Sequence, residues 1–151
     1  MAYEDTGAFL ERFGDFKILT ERDMATSAIS ELALVRQVKV ADLTNRVIVG
    51  QYRIDLSLSA GSPHERALTQ EWGAAFRRAG FDGVHYTARH DVTCMQKCLA
   101  IFGAPGEQSP HIPPPTLRRV KNGDPQSISA ELIDRMERMF GFLVLPTSEI
   151  I

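Results

Sequence analysis

The amino-acid sequence predicts an α+β fold, because helical and strand-length apolar patterns alternate along it. An amphipathic helix with both ends marked spans about residues 63–79, and apolar runs of strand length occupy 34–43, 81–86 and 98–102. A helix, a strand, a polar loop and a second strand follow one another between 63 and 102, and no internal repeat is present. A chain of 151 residues suits a single domain with a sizeable core.

From the beginning, residues 1–14 read as a loop entering a short helix. Phe9 and Phe13 are four apart and share a face, with Ala8 and Leu10 beside them, while Glu11 points to another side. Asp5 or Thr6 is the candidate cap at its start, and Gly14 the stop. Leu34 to Leu43 is a strand candidate whose second half alternates Val38 and Val40 with Gln37, Lys39 and Ala41, closed by Asp42 and Thr44-Asn45. The run from Arg46 to Gly50 fits either a helix or a strand.

The helix at 63–79 carries the strongest signals. Ser62, Pro63 and Glu65 make an N-cap, a first-turn proline and a capping box. Leu68, Trp72, Ala75, Phe76 and Ala79 form one apolar stripe, Arg77 and Arg78 complement the dipole in the last turn, and Gly80 is the C′ residue. Phe81 to Tyr86 then reads as a turn and strand, and Cys98 to Phe102 as a buried strand. Between them lies a polar stretch, Thr87 to Lys97. A polar loop on rigid elements is a natural carrier of function. Residues 105–115, ending in Pro113-Pro114-Pro115, read as a linker. After it come a strand (116–121), a turn at 122–125, a helix (129–140) with Leu132, Met136, Met139 and Phe140 on its apolar face, and an apolar segment, 142–145.

Composition narrows the functions. The net charge is −2, which gives no support to direct nucleic-acid binding through a broad basic field. No run approaches the roughly 18 apolar residues of a membrane helix. The acidic Met1-Ala2-Tyr3-Glu4-Asp5 lacks the basic and apolar regions of a signal peptide, so the cytoplasm is the expected location. Cys94 and Cys98 read as reduced thiols, with no histidine or cysteine cluster to complete a metal site, so no metal is expected. Dinucleotide-binding, P-loop, zincin and serine-hydrolase motifs are absent. His64 and His111 read as solvated, and His85 as a hydrogen-bonded structural histidine.

The cluster Tyr86-Thr87-Ala88-Arg89-His90-Asp91 stands apart. An aromatic ring, a guanidinium, an imidazole and a carboxylate at one strand end can bind an anion, with the arginine donating a planar fork and the ring a stacking face. The plainer alternative is a solvated loop with an Arg–Asp pair.

These residues carry a resemblance. Gly80 to Asp91, followed by Cys98 to Gly103, resembles the C-terminal block of RES domains, which has the form G-Y/F-D-G-I/V-x-Y-x-S-R, then a gap, then an apolar strand. Arg36 to Thr44 resembles an earlier family strand ending D-L-T, and Tyr3 to Glu11 a segment ending A-F-x-E. The resemblance covers about residues 3–103 and implies a mixed central sheet flanked by helices, similar to ADP-ribosyltransferases. It further implies an NAD⁺-degrading toxin paired with an Xre-type antitoxin, acting by hydrolysis or phosphorolysis at the nicotinamide–ribose bond. Glu11 takes the catalytic place; Tyr3, Tyr86, Ala88 and Arg89 take substrate-binding places. Ala88 stands where the family has a serine. The family's arginine lies in a segment upstream of anything present in this sequence, which implies a domain lacking its N-terminal part. The expected organisation is a RES-like domain (1–104), a linker (105–115) and a C-terminal extension (116–151) that covers the core or builds a homodimer. Two alternatives stay open: an impaired relative that binds a nucleotide or an antitoxin without turnover, and a protein ADP-ribosyltransferase.

Overall fold

The computed structural model describes residues 1–54, 66–103, 116–120 and 125–147. The predicted cap at Ser62, Pro63 and Glu65, the histidines His64 and His111, the proline-rich linker and most of the turn at 122–125 lie outside the described residues. The α+β class is borne out: helices and several small sheets alternate along the chain. The chain divides into two compact units. One draws on residues 1–12 and the described residues of 37–105; the other draws on 13–36 and the described residues of 106–151.

The first unit is built on a mixed three-stranded sheet. Strand β4 (Val40–Asp42) runs parallel to β5 (Gly83–Thr87), which pairs antiparallel with β6 (Lys97–Ile101). Ala2 bridges Cys98 on the far side of β6, where the Tyr3 amide donates to the Lys97 carbonyl at 3.1 Å. Strand β5 can lie close to β6 only because position 83 is glycine: a Cβ there would collide with the Ala100 carbonyl oxygen. Helix α1 (Asp5–Phe13) belongs to this unit up to Arg12, and Phe9 and Leu10 are buried along it. Neither predicted cap precedes the helix: Asp5 and Thr6 are already inside it, and Gly14 follows without a left-handed φ.

The ambiguous run after Asn45 is helix α3 (Arg46–Gln51), because the Asn45 side chain accepts from the amides of Val47 and Ile48 and so caps it. Helix α4 (Arg66–Arg78) ends as predicted at Gly80, with φ +80°. Phe81 N–H donates to the Phe76 carbonyl and Gly80 N–H to that of Arg77, the two bonds of a Schellman turn. Trp72 and Phe76 are half-buried and Phe76 meets Phe81 edge-on at 6.0 Å. Leu68, expected in the apolar stripe, is 40% exposed.

Among its described residues, the second unit has three two-stranded ladders and two helices. Strand β1 (Ile18–Thr20) pairs parallel with β9 (Leu143–Leu145), β2 (Ala28–Ile29) antiparallel with β8 (Gln126–Ser127), and β3 (Leu32–Leu34) antiparallel with β7 (Leu117–Arg119). Helix α2 (Glu21–Ala25) begins with a reciprocal Thr20–Asp23 capping box. Helix α5 (Ala130–Phe140) is capped by Ser129 and stopped by Gly141 at φ +67°. Leu132, Met136 and Phe140 are buried, whereas Met139, placed on the apolar face from sequence, is 56% exposed. A single strand over 34–43 is not what forms. Leu34 ends β3, residues 35–39 carry no strand, and Val40 begins β4, so the two apolar stretches pair with different partners.

Candidate active site

Strand β5 delivers the aromatic residue of the candidate site. Its alternation sends Val84 and Tyr86 to one face of the sheet and His85 and Thr87 to the other. Tyr86 lies opposite Cys98 in the ladder, and α1 brings Glu11 to the same side. Placing the helix there depends on Gly7, where a Cβ would stand 2.9 Å from the Ala2 Cβ and 3.3 Å from Gln96 Oε1.

The Glu11 carboxylate is exposed but held at both oxygens. The Tyr86 hydroxyl donates to Oε2 at 2.9 Å, and the Arg89 backbone amide donates to Oε1 at 3.4 Å. Burial and the adjacent Glu11 charge push the Tyr86 phenol well above its ordinary range, so it remains a donor. The same two causes push the Cys98 thiol up to about 11, which makes it an inert neighbour. Arg89 presents its guanidinium to its neighbour: Nε and Nη2 lie 2.9 and 2.7 Å from His90 Nε2.

Residues 88–96 form the loop that carries Arg89, and Asp91 organises it. Asp91 is 4% exposed, and its carboxylate accepts from Thr93 N, Thr93 Oγ1 and Gln96 N at 2.9, 2.5 and 2.6 Å. Burial raises the affinity of Asp91 for a proton, but the bonds from Gln96, Thr93 and Met95 outweigh it and hold the carboxyl below its usual range. The Asp-x-Thr pattern could have flagged this turn. The chain contains it twice, and Asp42 in Asp42-Leu43-Thr44 accepts from Thr44 N and Oγ1 in the same way.

Ala88 is 2% exposed, so it is almost wholly shielded from solvent. Tyr3 is 64% exposed, and its ring meets the His85 ring edge-on at 5.5 Å. His85 leaves β5 on the face opposite Tyr86, so the structure gathers Glu11, Tyr86 and Arg89 but sets Tyr3 apart from them. As the sequence suggests, His85 is hydrogen-bonded, with Nδ1 3.2 Å from Asp42 Oδ1. Its buried Nε2 has no partner among the described residues.

With this geometry in place, the comparison with protein families is decisive. The family model described as RES domain matches residues 2–122. The chain belongs to the RES domain family. Searches of curated proteins and of solved structures returned no match. The RES match reaches beyond the block near residue 103 that carried the resemblance and includes β7. Among the described residues of this RES domain, no group of three or more His, Cys, Asp or Glu could hold a metal ion. No helix there is long and apolar enough to cross a membrane.

Proposed function

We propose that this RES domain cleaves the nicotinamide–ribose bond of NAD⁺, as the toxin of a pair whose partner is an Xre-type antitoxin. The observation that carries the reading is the Glu11 carboxylate, exposed to solvent yet fixed at both oxygens by Tyr86 and Arg89. Breaking the bond from ribose C1′ to the pyridinium nitrogen sends its electron pair to nicotinamide, which leaves neutral, and positive charge develops on the ribose. A carboxylate preorganised beside that carbon stabilises this charge. A water or phosphate oxygen then bonds to C1′; for water, the proton it releases is accepted by Glu11 or by solvent. Arg89 is the residue suited to an anionic oxygen, either of the pyrophosphate or of attacking phosphate, once its guanidinium exchanges His90 for that ligand. The Tyr86 hydroxyl is committed to Glu11, so its role is to aim the carboxylate. Tyr3, across the sheet, is not assigned to the cleavage step.

One observation favours a second reading. Ala88 offers no hydroxyl where the family has a serine, which fits an impaired relative that binds a nucleotide or an antitoxin without turnover. Incubation of the purified protein with NAD⁺, with and without phosphate, separates the two. Release of nicotinamide that disappears in Glu11→Gln supports cleavage. Calorimetric binding of NAD⁺ with no nicotinamide released supports the second reading, and release that survives Glu11→Gln overturns the role given to Glu11.

A further inference from the structure

We infer that Asp91 is a positioning residue for Glu11, acting through the 88–96 loop; this rests on the reading of Glu11 above. A carboxylate this buried in a surface loop requires compensation, and Asp91 finds it entirely in donors from its own loop. Oδ1 takes the Thr93 amide and hydroxyl, and Oδ2 takes the Gln96 amide. Gln96 in turn accepts from the Ala88 amide at 2.9 Å, and the Asp91 amide donates to the Ala88 carbonyl at 3.1 Å. Ala88 is therefore tied to Asp91 directly and through Gln96, and the next residue is Arg89, whose amide reaches Glu11. The loop also holds Cys94 at φ +57°, a conformation that a residue with a Cβ keeps only when its surroundings enforce it. Lys97 Nζ braces the same turn by donating to the Cys94 carbonyl at 2.8 Å and to Thr87 Oγ1 at 3.1 Å.

The charge and both acceptor oxygens matter together. In Asp91→Asn one oxygen becomes an amide that donates, so it opposes either the Thr93 pair or the Gln96 amide. The loop base then opens and the Arg89 amide loses its fixed place beside Glu11.

The test uses the full chain and two readouts. In NMR of Asp91→Asn, amide exchange at Arg89, Thr93 and Gln96 is expected to rise at least about tenfold, in proportion to the opening of one local unit. Val84 and Ala100 stay protected, and the Tyr86 ring-carbon and Arg89 amide shifts move. In the nicotinamide-release assay kcat falls about tenfold with KM within about twofold, the signature of a contact that matters mainly in the transition state. Unchanged exchange and shifts at Arg89 and Tyr86, or a loss confined to KM, overturns the inference. If the wild-type protein releases no nicotinamide, the cleavage reading fails, while the NMR readout still decides whether Asp91 sets the place of Arg89 and Glu11. Should Asp91→Asn lose protection at Val84 and Ala100 as well, Thr93→Val removes the hydroxyl bond to Asp91, together with the long bond from the Met95 amide, and keeps the charge; smaller changes of the same sign support the inference, and the absence of any change overturns it.

Discussion

The Tyr86 hydroxyl donates a 2.9 Å hydrogen bond to Glu11 Oε2 across 75 residues of chain. It joins the end of a strand to the last turn of a helix and leaves the carboxylate open to solvent. The bond can be removed without disturbing the ring, so Tyr86→Phe isolates its effect. A hydrogen bond to a charged group contributes about 1.5–3 kcal/mol. Nicotinamide release is therefore expected to fall about 10- to 100-fold, and the melting temperature to drop by about 3–12 °C.

Glu11→Gln removes the charge and keeps the shape. Loss of one preorganised electrostatic contact at a developing charge costs about 10²- to 10³-fold in kcat. Because Glu11 is exposed, thermal unfolding followed by circular dichroism should match that of the unmodified protein within a few degrees.

Acid should loosen the loop. The Asp91 carboxyl titrates below its unfolded value, so its contribution is complete above the unfolded pKa of about 3.9 and disappears as pH falls through the lower folded value. The stability gap between the unmodified protein and Asp91→Asn, measured by urea denaturation, should be constant near neutrality. It should narrow only below about pH 4.

The second unit offers a test of packing independent of the candidate site. Met136 is fully buried on α5, between Leu132 and Phe140 along one stripe. Met136→Ala should cost about 2–5 kcal/mol in denaturant unfolding. The exposed neighbour Met139→Ala should change stability by no more than about 0.5 kcal/mol.

How much of this was legible in the sequence depends on the range of the interaction. The end of α4 at Gly80 was readable because capping is decided within a few residues, and α5 was placed by its apolar spacing, although its caps, Ser129 and Gly141, were not singled out. Strands β1, β2 and β8 passed unnoticed, since two or three residues cannot display a period and their pairing lies more than ninety positions away. Residues 34–43 looked continuous because alternation records which side chains are apolar, not which strand they pair with. Glu11 could be singled out only through the family resemblance: nothing local marks it, and its partners Tyr86 and Arg89 are brought to it by the sheet. Asp91 was visible as part of a polar cluster, but burial gave it a different task from the solvated Arg–Asp pair that was the plainer alternative.

Gly7 sits one helical turn before Glu11, against Ala2 and Gln96. Its missing methyl group makes the helix a lever with a tight fulcrum. A Cβ at position 7 would press on the Ala2 Cβ at 2.9 Å, so α1 and the segment at Ala2 must separate, which is expected to move the carboxylate although the altered residue touches neither Tyr86 nor Arg89. The place of Glu11 can thus be tuned from beneath the helix by volume alone, through a position that no inventory of polar groups would single out.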